Sequence, residues 1–195
     1  MEELLAVTIG YLAGYVPFAF LLARRRGVDL RRVGSGNIGA ANVLRTSGVA
    51  QALAAVGLDA AKGATAVLVA GRLTEGPATP VAVGLASIVG HVYPVWLRFR
   101  GGKGVATAAG VFTVLAPPAA AVAGGAFVVA IWATRYVSVG SMTAAVMLAV
   151  TSAAGEGLTA VSVGAVIAAI IIIERHRANL RRLAAGTERR IGQRI

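Results

Sequence analysis

Residues 4–26 read LLAVTIGYLAGYVPFAFLLARRR, a largely apolar run of twenty residues that three arginines follow directly. A helix that crosses a bilayer needs about 20 such residues. Arginines at one end mark the cytoplasmic side, where membrane proteins retain positive charge. Glu2 and Glu3 precede the run, whereas a cleaved signal peptide begins with positive charge. The stretch therefore predicts an uncleaved first helix with its N-terminus outside.

The rest of the chain continues this pattern. It is 57% hydrophobic and 14% charged, whereas soluble domains carry about 25% charged residues. Because the bilayer core offers the backbone no hydrogen-bond partners, the spans should be helices. We predict one all-α, polytopic membrane domain, residues 1–195, with seven transmembrane helices, N-terminus outside and C-terminus cytoplasmic. The apolar runs are approximately 4–23, 49–71, 78–97, 105–116, 117–134, 137–154 and 158–173.

The runs 105–116 and 117–134 leave two alternatives open. Pro117 and Pro118 separate them, and proline breaks the hydrogen-bond ladder of a helix interior. The two runs either cross as separate helices, one of them short, or form a re-entrant hairpin that turns at the prolines. Both arrangements keep the number of crossings odd, so the arginine-rich tail stays on the cytoplasmic side.

Positive charge is distributed unevenly over this topology. Seventeen of the 19 basic residues fall on the predicted cytoplasmic side, Arg72 falls outside, and Lys62 lies in the second run. This is the positive-inside signature, so the net charge of +11 is topological in the first instance. Nucleic-acid binding is the alternative for a basic chain. We give it little weight, because every basic stretch adjoins a membrane span. The residues assigned inside are Arg24, Arg25, Arg26, Arg31, Arg32, Arg45, Arg98, Arg100, Lys103, Arg135, Arg175, Arg177, Arg181, Arg182, Arg189, Arg190 and Arg194.

The first cytoplasmic joint is rich in glycine, and residues 33–46 read VGSGNIGAANVLRT. It contains a formal G-x-G-x-x-G, but the dinucleotide fingerprint requires a preceding strand, and a membrane span stands there instead. Glycines let backbone amides converge on an anion, and a following helix N-terminus adds positive potential. A plain glycine turn with solvated arginines is the alternative. The predicted phosphate-binding residues of this joint are Gly34, Ser35, Gly36, Asn37, Gly39, Asn42 and Arg45.

The second joint, residues 98–107, reads RFRGGKGVAT. Three glycines surround Lys103 and predict another anion-binding loop. It is not a Walker A loop, because glycine rather than serine or threonine follows the lysine. A flexible turn is the alternative, but a solvated turn gains nothing from three glycines. We predict substrate contacts from Gly101, Gly102, Gly104 and Thr107. His91, upstream of the loop, is predicted to be structural.

The tail, residues 174–182, reads ERHRANLRR. If it is helical, His176, Asn179 and Leu180 share one face. His176 lies where the last span reaches the cytoplasm and suits a proton acceptor. A basic helix on anionic lipid headgroups is the alternative. Glu188, in the closing turn, is predicted to pair with nearby arginines.

Two charged residues, Asp59 and Lys62, lie within the second run. Intramembrane charges are functional hypotheses by default, and we predict that this pair supports the loops structurally. No metal site is expected, because the chain has two histidines far apart in sequence. The H-x4-D pattern of soluble-type lipid acyltransferases fails at both of them.

Together these motifs closely resemble the bacterial acyl-phosphate:glycerol-3-phosphate acyltransferases, nearly end to end and in the same order. Asp59-Ala60-Ala61-Lys62-Gly63 is similar to the D-x-x-K-G of that family. Ala41 stands where the family commonly has threonine, so no hydroxyl contact is expected there. The resemblance is carried by Gly34-Ser35-Gly36-Asn37-Ile38-Gly39-Ala40-Ala41-Asn42 with Leu44-Arg45-Thr46, by Gly90-His91, Pro94 and Phe99-Arg100-Gly101-Gly102-Lys103-Gly104-Val105-Ala106-Thr107, and by His176-Arg177-Ala178-Asn179 and Gly186-Thr187-Glu188.

The resemblance implies a bacterial inner-membrane enzyme with its active site at the cytoplasmic face. It would transfer a fatty acyl group from acyl phosphate to the 1-hydroxyl of glycerol 3-phosphate, giving lysophosphatidic acid and inorganic phosphate, the first step of phospholipid synthesis. It implies no cofactor, and functional coupling to an enzyme that produces acyl phosphate. The implied catalytic residues are Ser35, Arg45, Lys103, His176 and Asn179, and Glu188 is implied as a structurally required acid. A transporter of a phosphorylated metabolite is the alternative that would use the same basic loops.

Overall fold

Every regular element among the described residues is a helix. The structure is a computed structural model that describes residues 1–193, so Arg194, assigned above to the cytoplasmic side, lies outside the described residues. The prediction of an all-α chain is confirmed. The α-helices are α1 (Glu2–Gly14), α2 (Phe18–Arg25), α3 (Ala40–Ser47), α4 (Val49–Leu73), α5 (Ala78–Val92), α6 (Val105–Leu115), α7 (Pro117–Thr134), α8 (Val137–Glu156), α9 (Ala160–Arg175) and α10 (Arg177–Ala184), and Val95–Leu97 forms a 3-10 turn.

The first apolar run is broken rather than continuous. Pro17 has φ −92° and ψ 78°, which is not helical, and α2 begins at the next residue. Proline lacks the backbone N–H that would continue the ladder. The carbonyl of Val16 at the break accepts a hydrogen bond of 2.6 Å from Lys62 Nζ. A charged side chain of α4 therefore holds the kink between α1 and α2.

Within residues 1–193, five helical segments are long and apolar enough to cross a bilayer: Glu2–Arg25, Val49–Leu73, Ala78–Leu97, Pro117–Thr134 and Val137–Gly155. At 1.5 Å per residue, α6 is about 16 Å long and α9 about 24 Å, less than the roughly 30 Å of the hydrocarbon core. Seven crossings and the orientation of the termini therefore stay predictions.

The break at the two prolines is present. Helix α6 ends at Leu115, Ala116 is not helical at φ −146° and ψ 69°, and Pro117 occupies the first turn of α7. Proline suits this position, because the first N–H groups of a helix have no intrahelical acceptor. One continuous helix over the two runs is excluded, and both remaining arrangements are compatible with this geometry.

Small residues let the helices approach closely, as is common in membranes. A Cβ atom at Gly110 of α6 would overlap the carbonyl of Ala60 in α4, and one at Gly90 of α5 would overlap the backbone of Tyr11 in α1. The main core lies among α5, α6, α8 and α9, where Phe112 is fully buried. These contacts fix α4, α5, α6 and α9 relative to one another.

A second, smaller core lies under the first glycine joint. Leu30 of the joint, Val43 of α3 and Ala55 of α4 are fully buried in it. Helix α3 begins directly after Gly39, and α6 begins directly after Gly104. The prediction that a helix follows each glycine joint is confirmed, and both helix N-termini lie beside one cavity.

Candidate active site

A cavity of about 750 Å³ opens where the two glycine joints and the tail meet. Its polar end is formed by side chains from all three segments, including Arg45, Lys103 and His176. Its apolar end is a groove between α6, α7 and α8. The groove is lined by Ala108, Ala109, Phe112, Thr113, Ala120, Ala123, Gly124, Phe127, Ala144, Ala145 and Leu148.

A chain of hydrogen bonds connects the second joint with the tail. Lys103 Nζ donates to Asn179 Oδ1 at 2.5 Å, and Asn179 Nδ2 donates to Glu188 Oε1 at 2.7 Å. Glu188 also accepts from Ser138 Oγ at 2.9 Å and from Arg182 Nε at 2.6 Å. The predicted pairing of Glu188 with an arginine is present. Asn179 is thereby oriented with its oxygen toward Lys103.

The protonation of this chain follows from its surroundings. Burial alone would raise the pKa of Glu188, but hydrogen bonds from Asn179, Arg182 and Ser138 hold it below its ordinary value. Burial lowers the pKa of Lys103 to about 8; the carboxylate of Glu188 opposes this, and Arg182 and Arg45 add to it. Lys103 is therefore a cation at neutral pH that loses its charge in mildly alkaline solution.

His176 lies at the bend between α9 and α10. Its Nδ1 lies 2.7 Å from the carbonyl oxygen of Ile172, and because a carbonyl can only accept, Nδ1 carries the proton. Burial, followed by the charge of Lys103, lowers the pKa of His176 to about 4. The ring is neutral at pH 7, with Nε2 free to accept a proton. Asn179 is buried like His176, whereas Leu180 is 45% exposed, so the predicted common face does not extend to Leu180.

The first joint is organised by its two asparagines. Asn42 Oδ1 accepts from the Ser35 amide at 2.9 Å, and its Nδ2 donates to the carbonyls of Leu30 and Val33 at 3.1 and 3.0 Å. Asn37 Oδ1 accepts from the Gly39 amide at 3.0 Å. These amide groups therefore shape the loop. Asn37 and Asn42 also line the cavity, and their contact with substrate stays a prediction.

Asn37 also joins the two glycine joints, because its Nδ2 donates to the carbonyl of Gly101 at 3.4 Å. Arg45, on α3, is half-buried, and burial lowers its pKa below the ordinary value. Its guanidinium makes no hydrogen bond within residues 1–193. Gly34 and Gly36 both have positive φ, at 63° and 72°, and of these two Gly36 lines the cavity. Ser35 and Arg45 line it as well, so the first joint supplies a hydroxyl and a free cation.

The second joint differs from the predicted backbone cradle. The amides of Gly101 and Gly102 donate to the carbonyls of Val92 and His91, both at 3.1 Å, so neither is available to an anion. A Cβ at Gly102 would overlap the ring of His91. The two glycines therefore let the loop pack onto the end of α5, and that packing sets the position of Lys103.

Thr107, predicted to contact substrate, is fully buried and does not line the cavity. It lies on the face of α6 that meets α4, where Gly63 leaves room for its backbone and side chain. The side of α6 that faces the cavity carries Val105, Ala106 and Ala109 instead. The prediction for Thr107 is therefore corrected, because its helix face packs against a neighbouring helix.

The predicted ion pair between Asp59 and Lys62 is present, with 2.8 Å between Nζ and Oδ1. Lys62 Nζ also lies 3.0 Å from His91 Nδ1. Since His91 packs against Gly102, this buried cluster lies directly beneath the second joint. Its position is the one expected of structural support.

Several polar residues at the cavity were not predicted as site residues, and Ser138 and Arg175 are two of them. Ser138 lies in the first turn of α8 and donates to Glu188, and Arg175 ends α9. An arginine at the end of a span resembles any positive-inside arginine, and no sequence signal marks Ser138. The alanine-rich groove walls likewise read as ordinary membrane helix.

The family of the chain follows from comparison with known proteins. A family model described as glycerol-3-phosphate acyltransferase matches residues 4–186. The chain belongs to this family. Glycerol-3-phosphate acyltransferases from Anaeromyxobacter sp. (strain Fw109-5) and Geobacter sulfurreducens are 47% and 44% identical to it. The alignments cover 96% of both chains in the first case, and 97% of this chain and 98% of the relative in the second.

Solved structures of the glycerol-3-phosphate acyltransferase family show the same architecture. Crystal structures of PlsY (YgiH), an integral membrane glycerol 3-phosphate acyltransferase, match with TM-scores of 0.94 for the glycerol 3-phosphate form and 0.91 for the lysophosphatidic acid form. They are 37% and 36% identical, and each match covers 98% of this chain and 96% of that chain. The chain is thus an integral membrane protein, and the resemblance stated from its motifs is confirmed.

Proposed function

We propose that this protein transfers a fatty acyl group from acyl phosphate to the 1-hydroxyl of glycerol 3-phosphate. The products are lysophosphatidic acid and inorganic phosphate. One observation carries the proposal: Arg45, Lys103 and His176 lie at the polar end of a cavity whose other end is an apolar groove. Such a cavity fits a reaction that joins a phosphorylated polar substrate to an acyl chain.

Both substrates carry a phosphate, and the polar end of the cavity carries excess positive charge. Lys103 and Arg45 line it with Arg182, which pairs with Glu188, and six cations line the cavity against two carboxylates. Guanidinium and ammonium groups are the side chains that bind phosphate most strongly. We assign Ser35 and Arg45, with the first turn of α3, to phosphate binding from the first joint.

The groove suits the acyl chain. Along α8 its wall runs from Ser138 at the polar end to Leu148, ten residues further, a distance of about 15 Å at 1.5 Å per residue. Alanine and glycine on α7 and α8 keep it wide enough for a chain. Its deeper walls are buried, but Ala109, Thr113 and Gly124 are exposed on membrane helices, so a lipid-borne acyl group can enter from the side.

Direct transfer suffices, because acyl phosphate is already activated. The site has to align the hydroxyl with the carbonyl carbon, stabilise the oxyanion and accept a proton. Lys103, fixed by Asn179, supplies the oxyanion donor with Arg45. His176 Nε2 and the phosphate of the donor are the two candidate proton acceptors. Among the described residues no hydrogen bond joins Ser35 to His176, which favours an anion-binding role for Ser35 over an acylated nucleophile.

The decisive experiment is turnover by the purified protein in detergent or lipid. Phosphate release from acyl phosphate should depend on glycerol 3-phosphate, whereas acyl-CoA should not support the reaction. Comparable turnover with acyl-CoA would overturn the proposed donor. Activity should survive a chelator, because no metal is assigned to the mechanism; strict loss, restored by a divalent ion, would contradict this.

We propose that the site lies at the cytoplasmic face of the bacterial inner membrane, with seven spans and the N-terminus outside. The chain lacks cysteine, so single exposed positions can be labelled selectively. Arg32→Cys, Arg98→Cys and Ala185→Cys should react with an impermeant thiol reagent from the inside, and Glu75→Cys from the outside. External labelling at position 185 would reverse the orientation.

A further inference from the structure

Arg175, the last residue of α9, has a buried donor that the structure leaves unused. Its guanidinium carbon lies 5.3 Å from the centre of the Tyr93 ring. Its Nε is buried and has no hydrogen-bond partner within residues 1–193. The residue lines the cavity. Buried donors in proteins are nearly always paired, so the unpaired Nε indicates that the protein itself does not satisfy this guanidinium.

The carboxylates nearby are engaged elsewhere. Glu174 precedes Arg175 in sequence but accepts from Arg177 Nη1 at 2.6 Å and from the Tyr93 hydroxyl at 3.1 Å. Glu188 is held by Arg182 at 2.6 Å. Among the described residues, no carboxylate lies within 4.0 Å of the Arg175 guanidinium. The charge of Arg175 is therefore left for an anionic ligand.

The position of Arg175 separates it from Arg45. Tyr93, on which it stacks, follows α5 directly, where the second glycine joint is attached through Val92. The charges of Arg45 and Arg175 both act on Lys103, and the charge of Arg175 acts on His176 as well. Lys103 therefore lies close to two guanidinium groups from different helices, Arg45 on α3 and Arg175 on α9.

We propose that Arg175 binds the phosphate of glycerol 3-phosphate, on the side of the second joint, while Arg45 serves the phosphate of the acyl donor. The inference rests on the proposed function. A guanidinium offers a rigid fork of donors that matches two phosphate oxygens. Stacking on Tyr93 fixes the plane of that fork before substrate arrives. Since the Gly101 and Gly102 amides are engaged, side chains have to hold an anion at the second joint, and Arg175 adds a guanidinium to Arg100 and Lys103 of that joint.

The test compares Arg175→Gln and Arg175→Lys with Arg181→Gln. Arg181 is an exposed arginine of the same tail that does not line the cavity, so it controls for the loss of one positive charge. Arg175→Gln should raise KM for glycerol 3-phosphate about 10- to 100-fold, as expected for a lost hydrogen bond to a charged group. KM for acyl phosphate and kcat should change less than about threefold. Arg175→Lys should be intermediate, because it keeps the charge and loses the fork.

Inhibition by inorganic phosphate gives a second readout, followed through formation of lysophosphatidic acid because phosphate is itself a product. With acyl phosphate saturating the donor site, inorganic phosphate should compete with glycerol 3-phosphate and inhibit the Arg175→Gln variant about tenfold less strongly than the wild type. Unchanged KM and unchanged phosphate inhibition in Arg175→Gln would overturn the assignment, as would a rise confined to KM for acyl phosphate. If Arg175→Gln does not fold, the kinetics of Arg175→Lys decide the question. Wild-type kinetics in Arg175→Lys would refute a two-point contact between the guanidinium and the phosphate. Failure of the wild type to acylate glycerol 3-phosphate would instead refute the proposed function.

Discussion

Replacing Glu188 by glutamine should move the alkaline limit of activity to lower pH. The carboxylate accepts from Asn179, and Asn179 accepts from Lys103, at 2.7 and 2.5 Å. These two hydrogen bonds across one amide separate the charges of Lys103 and Glu188 by roughly 7 Å. With an effective dielectric constant of about 20, their attraction is about 2 kcal/mol. It favours protonated Lys103, so its removal should lower the pKa of Lys103 by about 1.5.

The assay is the pH dependence of kcat/KM, which reports the free enzyme. The pKa of Lys103 is about 8. Activity that needs the ammonium form is complete below that pH and falls as the pH rises through it. In Glu188→Gln the fall should therefore be centred about 1.5 lower, near pH 6 to 7. The second ionisation of the substrate phosphates, near pH 6, is common to both enzymes and cancels in the comparison.

Glu188→Asp is the matched control, because it keeps the charge and shortens the side chain by one methylene. Both variants should lower the melting temperature, since each disturbs hydrogen bonds to a buried carboxylate, worth about 1.5–3 kcal/mol each. Only the glutamine variant should shift the alkaline limb. If both variants keep the wild-type limb, Lys103 is not the titrating group and the electrostatic reasoning is refuted.

The other predictions concern the second joint, the tail and the groove. Gly101→Ala would place a Cβ 2.6 Å from the Pro94 ring, an overpacking that costs about 1–3 kcal/mol. The loop should shift and displace Lys103, so kcat should fall and KM for glycerol 3-phosphate should rise. Wild-type kinetics in this variant would contradict the prediction. His176→Ala should reduce turnover about 10²–10⁴-fold with the protein still folded and membrane-inserted, and near-normal turnover would return the tail to a lipid-facing role. Asn179→Ala should cost less, and the double variant should cost less than the product of the two losses. Gly124→Phe should slow the transfer of long acyl chains more than that of short ones, while the control Gly125→Phe should not. A side chain at either position meets open space, but of the two only Gly124 lines the groove. Equal effects of the two variants would exclude the groove as the acyl site.

Much of the architecture follows from local chemistry that is visible in the sequence. Apolar runs of span length define helices, and Pro117 ends α6 where the proline pair predicts a break. The kink at Pro17 was missed, because one proline inside an apolar run is compatible with a single span. Its consequence, a carbonyl bound by Lys62 from another helix, depends on a tertiary contact that no periodicity contains.

The site was predictable as a set of segments but less so as a set of contacts. Glycines at 101 and 102 predict a close approach, yet sequence does not say whether an anion or His91 approaches them. Thr107 belongs to a conspicuous motif, and only the packing of α6 on α4 reveals that it faces away from the cavity. Arg175 was missed for the opposite reason. In the sequence it is one of many arginines expected at the end of a span, and its unpaired Nε and its stacking on Tyr93 are visible only in the structure.

The charge balance of the cavity explains why two phosphates fit beside the carboxylate of Glu188. Six cations and two carboxylates, Asp59 and Glu188, line the cavity, which leaves an excess of four positive charges while Lys103 is protonated. The cations are Arg45, Arg100, Lys103, Arg175, Arg177 and Arg182. A phosphate monoester carries about −1.5 to −2 at neutral pH, so one substrate leaves a positive remainder and a second nearly neutralises it. The first phosphate to bind therefore does not repel the second out of the site. Glu188 limits the repulsion among the cations in the empty enzyme, and it holds Lys103 in the charged form that both phosphates require.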